Sequence, residues 1–395
     1  MMVVGAIYAA VRVAHLHLTE WKAVQALLRS RSHFALAGFV AALAFPADVR
    51  HEISASMEMA AHLIGAWLAF SVGCTLDRRA FRQATNSAII LETTQFLLCV
   101  FLVLATTYTA VQTGGIDGTE FTMPVVLALG AVVGFGRKTL GRSSKVQLGG
   151  IVGEHTPMIA SALAAVLFAL AAIPMRGGDI VIRAPFDPTG RVLMIEGGAM
   201  ELVLTLILGS LLGLAVDLLT RDCPKRSVFF LLILCLMFGV GVAAVCGLEP
   251  IGVGLVAAVW LINTTLRRLD ILRAITAGDP SMRGGISFGA GFFLGEFLAK
   301  GCDLPTVLYV FLAMAAIRPI AAIGALVAAR QMLPMPALRS LHISSQTYFG
   351  SSELALAGAV LLGYLLPVPE GVSIVAGVLA AKWFLAICSE LLRER

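Results

Sequence analysis

Charged residues are scarce in this sequence, and their scarcity excludes an ordinary soluble domain. Asp, Glu, Lys and Arg make up 13% of the 395 residues, whereas hydrophobic residues make up 58% and the mean hydropathy is +0.91. A soluble domain carries roughly 25% charged residues. The apolar residues form long blocks, and the alternating ten-residue segments of a transmembrane β-barrel are missing. The sequence therefore predicts an all-α polytopic membrane protein.

Patterns that would indicate a metal, a cofactor or a leader peptide are also missing. The seven cysteines are scattered and form neither a CxxC pair nor the Cys/His spacing of a zinc site. The N-terminal "MMVVGAIYAAVRVAHLH" lacks a basic start and a small-residue cleavage site, so we interpret it as a first membrane helix. "GFGRKTLG" follows no strand, which argues against a phosphate-binding loop. We therefore expect no cofactor, no nucleic-acid partner and no enzymatic activity.

The apolar blocks predict thirteen transmembrane helices. Several blocks are shorter than the roughly 20 residues that a helix needs to cross a bilayer, but charged or Gly/Pro-rich breaks separate all of them. They lie at about 1–14, 33–46, 57–76, 86–112, 121–136, 147–173, 194–219, 228–246, 250–265, 284–299, 304–329, 342–366 and 370–390.

The distribution of lysine and arginine predicts the orientation of these spans. The loops after odd-numbered spans, together with the C-terminal tail, hold 21 lysines and arginines, whereas the alternate loops hold 5. Positive loops stay in the cytoplasm. We therefore expect a multi-pass protein of the cell inner (plasma) membrane, with the N-terminus outside and the C-terminus in the cytoplasm. Because the loops are short, we also expect a single transmembrane domain over 1–395 with no soluble regulatory domain.

A few ionisable residues fall inside the predicted spans. A charge near the bilayer centre costs at least about 2.5–3.5 kcal/mol, so such a residue usually faces a partner, a cavity or an ion path. We interpret those near span ends as interfacial or capping groups. The set comprises Glu92, Glu154, His155, Glu201, Asp217, Glu296, Arg318 and Glu353, of which Glu92, Glu201 and Asp217 lie near span ends.

Arg318 is the deepest of the basic residues in this set. It lies near the middle of "FLAMAAIRPIAAIGALVAA", too far from either end to reach water easily, and it therefore needs a carboxylate. Glu154 and Glu353 are the candidate charge partners. The pair would either pin two helices together or form an ion-translocation site in which a cation competes with the arginine for one carboxylate.

Two spans contain breaks that predict discontinuous helices. Half-helix ends expose amide and carbonyl dipoles that bind ions at the midplane, although glycines also allow close helix packing. The breaks comprise Gly134, Phe135 and Gly136 in the fifth span and Gly350, Ser351 and Ser352 in the twelfth.

Four segments, in this order, resemble landmarks of the monovalent cation:proton antiporter superfamily, in its branch of bacterial sodium/proton exchangers and potassium-efflux antiporters. They are "GAWLAFSVGCTLDRRAFRQ", "GLEPIGVGLVAAVWLIN", "AMAAIRPIAAIGALVAAR" with its basic residue, and "YFGSSELALAGAV" with its glutamate. The resemblance covers nearly the whole chain and agrees with thirteen spans.

The resemblance implies two inverted repeats, with the fifth and twelfth spans as crossed discontinuous helices. It implies dimerisation-panel helices at about 1–46 and 194–265, core helices at about 57–173 and 284–390, and a homodimer in the lipid bilayer. The sixth span would carry the ion-binding acids, which places Glu154, His155 and Thr156 at the proton- and cation-binding site.

The sequence departs from the family at this site. The family's usual Asp-Asp or Asn-Asp pair aligns with Glu154 and His155, or with Gly153 and Glu154 if the alignment is shifted by one residue, and either way one carboxylate remains. The family's Thr-Ser-Pro or Thr-Asp-Pro break is replaced by Gly-Phe-Gly. His155 is a candidate proton carrier because the unperturbed pKa of histidine is about 6.5. With one acid, we expect electroneutral exchange of one Na⁺ or K⁺ for one proton by alternating access. The alternative is an antiporter-fold protein that has lost exchange and acts as a scaffold, sensor or gated pore in a larger system.

Overall fold

The computed structural model describes residues 30–83, 86–114, 122–135, 158–175, 179–183, 192–196, 198–332 and 352–392. The helices are α1 Ser32–Ala44, α2 Ala47–Gly73, α3 Arg78–Gln83, α4 Asn86–Gln112, α5 Met123–Gly134, α6 Ile159–Met175, α7 Gly198–Thr220, α8 Val228–Val245, α9 Pro250–Thr264, α10 Arg268–Phe297, α11 Leu304–Leu312, α12 Arg318–Met332, α13 Glu353–Leu365 and α14 Val368–Leu392. A 3₁₀ turn at Leu298–Lys300 follows α10, and a π-helical turn at Ala313–Ile317 joins α11 to α12.

The helices follow the apolar blocks of the sequence. Within the described ranges, six helices are long and apolar enough to cross a membrane, and five more are apolar but have 10–17 residues. Twelve of the thirteen predicted spans contain a described helix, and the first, 1–14, lies outside the described residues. Large apolar side chains along α7 and α8 are exposed, including Leu206, Leu211, Phe230 and Phe238. Such a surface is suited to lipid, so the chain is a helical membrane protein.

Helix α10 begins sixteen positions before the span that the sequence predicts there. We expected 266–283 to be a loop because it is rich in arginine, but α10 runs through it from Arg268. Ile271, Ala274, Ile275 and Gly278 are buried at the i, i+3, i+4, i+7 spacing of one helix face. This apolar stripe holds the segment against its neighbours, whereas Arg273, on the opposite side of the helix, is 72% exposed.

A two-stranded hairpin is the one departure from an all-α fold among the described residues. Strands β1 Asp179–Arg183 and β2 Val192–Glu196 pair antiparallel, with Asp179 opposite Glu196 and Arg183 opposite Val192. The sequence analysis expected a loop followed by a span from residue 194. Both strands are rich in valine, isoleucine and leucine, which favour pairing once two such segments face each other.

Close helix pairs build the framework around the site. The largest contact joins α1 to α10, and the next joins α2 to α9. At the first of these the backbones touch: a Cβ at Gly38 would clash with the Phe288 carbonyl, and one at Gly291 with the Ala35 carbonyl. The predicted division into panel and core would separate both pairs, and it stays a prediction.

Candidate functional site

Two half-length helices end inside the protein and pack against each other. Helix α5 has 12 residues and α13 has 13, so each is about 18–20 Å long, shorter than the hydrocarbon core of about 30 Å. They approach at Gly358 of α13, where an added Cβ would lie 3.2 Å from Val132 and 3.3 Å from the Phe135 ring. The carbonyl end of α5 therefore lies beside the middle of α13.

Three of the six predicted break residues lie at these helix ends. Gly134 is the last residue of α5, and Phe135 leaves the helix with ψ of 104°. Ser352 caps α13, where its Oγ accepts a hydrogen bond of 3.1 Å from the Leu354 amide. Gly136, Gly350 and Ser351 lie outside the described residues.

Glu353 is the first residue of α13 and is buried. Its carboxylate lies at the amino-terminal end of the helix, which carries a partial positive charge. Its Oε2 lies 3.5 Å from Nη1 of Arg283, and Nη2 of Arg283 donates to Oδ2 of Asp279 at 2.5 Å. The arginine thus bridges two buried carboxylates, one on α10 and one on α13.

The sequence analysis did not identify this bridge. Arg283 was expected in a loop, but it contacts Glu353. The predicted pairing of Arg318 with Glu154 or Glu353 stays a prediction. The spacing of Asp279 and Arg283, one helical turn apart on a segment with a buried apolar stripe, is the signal that would have identified the pair.

Arg318 lies at the start of α12 and is 1% exposed. The π-helical turn before it contacts α4, α5 and α14. Pro319 follows directly; since proline lacks an N–H and clashes with the carbonyl four residues earlier, a widened turn relieves the conflict. Widened turns of this kind are frequent at functional sites. The guanidinium is therefore buried in the protein interior, directly after a π-helical turn that contacts half-helix α5.

Helix α6 begins directly after the predicted ion site, and its first amides are already bonded. The Met158 amide donates to Oγ1 of Thr75 at 3.1 Å. The amides of Ile159 and Ala160 donate to Oε2 of Glu92 at 2.9 and 3.5 Å. Glu92 thus caps α6 from a different helix, and its carboxylate adds negative charge where α6 begins.

A buried lysine adds a further polar contact at α10. Lys382 on α14 is 3% exposed, and its Nζ donates to Oγ of Ser287 at 3.2 Å. Ser287 in turn donates to the carbonyl of Arg283 at 3.1 Å. The sequence analysis omitted Lys382 although it lies within the thirteenth predicted span. Two neighbouring helices, α13 and α14, therefore both make polar contacts to the same stretch of α10.

The predicted ion-binding residues Glu154, His155 and Thr156 lie outside the described residues. Their pairing with Arg318 stays a prediction. Among the described residues, no group of three or more His, Cys, Asp or Glu side chains could hold a metal ion.

The similarity to known proteins lies in the fold. No protein-family model matches the sequence, and no curated protein matches it. A solved structure does: the sodium proton antiporter MjNhaP1 from Methanocaldococcus jannaschii, studied at pH 8, superimposes with a TM-score of 0.59. The match covers 100% of this chain and 96% of that chain at 14% sequence identity.

The chain has the fold of a sodium/proton antiporter. The resemblance inferred from the four sequence segments is therefore confirmed at the level of the fold. Within that antiporter fold, the described residues place two half-helix ends, a buried arginine and a buried glutamate in the protein interior. Such an arrangement has the components of a monovalent-cation site, namely carbonyl oxygens, a carboxylate and a competing positive charge.

Proposed function

We propose that the protein exchanges a monovalent cation, Na⁺ or K⁺, for protons by alternating access. The observation that carries this proposal is the full-length antiporter fold, in which half-helices α5 and α13 pack together beside buried charges. An unsatisfied polar group in lipid costs several kcal/mol, so a break in a membrane helix occurs where the exposed backbone groups are buried in protein or line a water-filled cavity.

In this proposal Glu154, His155 and Thr156 bind the proton or the cation. They stand immediately before the amides that Thr75 and Glu92 cap. That capping supports the proposal, since amides already bonded to Glu92 do not attract a second anion, and its carboxylate favours a cation nearby. Arg318 supplies the competing positive charge.

A single carboxylate at the site exchanges one proton for one monovalent cation, so transport is electroneutral. We further propose that the protein lies in the cell inner membrane with its C-terminus in the cytoplasm, on the side rich in lysine and arginine. The antiporter resemblance supports a homodimer formed through the panel helices.

The test is ion-driven proton flux in proteoliposomes that contain the full chain and a trapped pH dye. An inward Na⁺ or K⁺ gradient should drive proton efflux that is insensitive to membrane potential. Glu154→Gln should abolish the flux, whereas Glu58→Gln, at a side chain 47% exposed, should leave it unchanged.

Absence of proton flux with either cation in the unmodified protein would overturn the proposal. In that case a cation current without proton movement would indicate the gated pore, and no ion movement at all would favour a scaffold or sensor. A Glu154→Gln protein that transports normally would show that the site lies elsewhere.

A further inference from the structure

A basic cavity lies apart from the half-helix site, where the corner between α2 and α3 meets the junction of α9 and α10. Its volume is about 280 Å³. Four arginines line it against one aspartate, which leaves a net charge of +3. The lining residues are Asp77, Arg78, Arg79, Arg82, Ile262, Asn263, Thr265, Leu266 and Arg268.

The one carboxylate among the lining residues of this cavity already forms an ion pair. Asp77 is 4% exposed and pairs with Arg268 across the two corners. The side chains of Arg78, Arg79 and Arg82 are exposed, and over the described ranges none of them has a carboxylate within salt-bridge distance. Three guanidinium groups therefore remain available to an external anion.

The other polar groups of the cavity fix its shape. Oδ1 of Asn263 accepts a hydrogen bond of 2.8 Å from the Arg78 amide, and Nδ2 donates to the Leu76 carbonyl at 3.2 Å. The Arg79 amide donates to Oδ1 of Asp77 at 3.0 Å. Because these bonds hold the backbone in place, the arginine side chains emerge from a fixed frame. A planar guanidinium with paired N–H donors matches the oxygens of a phosphate group.

The rim of the cavity indicates which kind of phosphate-containing molecule would bind there. Leu266 is 96% exposed, although it lies next to the charged wall. The cavity is at the ends of α2 and α9, two helices of the transmembrane bundle, on the side that the charge distribution places in the cytoplasm. A basic site with an apolar rim at the end of membrane helices suits a ligand with an anionic head and an apolar tail.

We propose that this cavity binds the phosphate of an anionic phospholipid headgroup, with Leu266 against the acyl region. The bound lipid ties the short helix α3 to the α9–α10 junction, in addition to the Asp77–Arg268 ion pair. Binding requires no transport, so the proposal is independent of the exchange reaction.

The experiment measures thermal stability of the purified full chain in detergent during titration with short-chain phosphatidylglycerol. Phosphatidylcholine, glycerol 3-phosphate and inorganic phosphate serve as separate arms. The test variant is Arg78→Gln/Arg79→Gln/Arg82→Gln. The control variant, Arg221→Gln/Lys225→Gln/Arg226→Gln, removes the same charge from exposed side chains in another predicted cytoplasmic loop.

Phosphatidylglycerol should raise the melting temperature of the unmodified and control proteins, and phosphatidylcholine should not. The test variant should need roughly 100-fold more phosphatidylglycerol for the same rise, since each basic residue near an anionic surface contributes about a factor of five. If phosphatidylglycerol raised the melting temperature of both triple variants equally, the three arginines would not form the binding site. A full response to inorganic phosphate or glycerol 3-phosphate would overturn the lipid assignment and identify a soluble phosphate as the ligand. Size-exclusion profiles without lipid confirm that both variants are folded before they are compared.

Discussion

Replacing Arg283 with glutamine should destabilise the protein far more than its sequence context suggests. The side chain is 14% exposed and bridges Asp279 on its own helix to Glu353 on α13. At 3.5 Å and an effective dielectric constant of about 20, the attraction to Glu353 alone is about 5 kcal/mol before desolvation is subtracted. Removing one partner of a buried ion pair typically costs about 3–5 kcal/mol, because the remaining charge stays buried. We expect Arg283→Gln to lower the free energy of unfolding by about 3 kcal/mol.

A matched pair elsewhere in the chain provides the control. Arg221 lies one turn after Asp217, at 3.3 Å, in the same i,i+4 arrangement as Arg283 and Asp279, but its side chain is 60% exposed. The Asp217 side chain is only 8% exposed, but water around Arg221 screens the pair, and screened pairs contribute about 0.2–1 kcal/mol. Arg221→Gln should therefore change the free energy of unfolding by less than about 1 kcal/mol.

The assay is reversible unfolding in mixed micelles, in which the fraction of denaturing detergent is increased and helix content is followed. The double variant Arg283→Gln/Glu353→Gln should lose less than the sum of the two single variants, since residues in one ion pair are coupled by about 0.5–3 kcal/mol. The reasoning fails if Arg283→Gln costs no more than Arg221→Gln, or if the two single losses add without coupling.

Two further predictions concern the framework. Glu92→Gln should lower the free energy of unfolding by about 1 kcal/mol, because it weakens the cap on α6. The control Glu58→Gln, at a half-exposed side chain, should leave the free energy of unfolding unchanged. Equal effects of the two substitutions in the same unfolding assay would contradict the cap. Gly291→Ala should sharply reduce the melting temperature, because its Cβ would clash with the Ala35 carbonyl and overpacking costs about 1–3 kcal/mol or more. Gly289→Ala, two positions earlier with nothing within 4 Å, should be tolerated; comparable melting temperatures would show that α1 and α10 do not pack this closely.

The sequence was informative wherever the bilayer itself determines the pattern. Apolar blocks and the asymmetry of lysine and arginine are local properties, so twelve of the thirteen predicted spans contain a described helix and the antiporter resemblance agrees with the fold. The ends of α5 and α13 fall at Gly134 and Glu353, beside residues that disfavour helix continuation or favour a cap.

The sequence was less informative where distant segments decide the outcome. Arg283 looks like a loop residue until Glu353, from a helix much later in the chain, is placed beside it. Lys382 is a single charge in an apolar run, and the sequence around it does not indicate its hydrogen bond to Ser287 on α10. The hairpin of β1 and β2 depends on two short segments meeting, which neither segment indicates alone. Long-range pairing of this kind leaves no local pattern.

The two sides of α10 differ in kind, and the difference has a mechanical consequence. Toward α1, backbone meets backbone at Gly38 and Gly291, and steric contact of this sort permits no sliding without a clash. Toward α13 and α14, the contacts include the long side chains of Arg283 and Lys382, which have several rotatable bonds. We therefore expect α10 to move together with α1 and to shift more easily against α13 and α14.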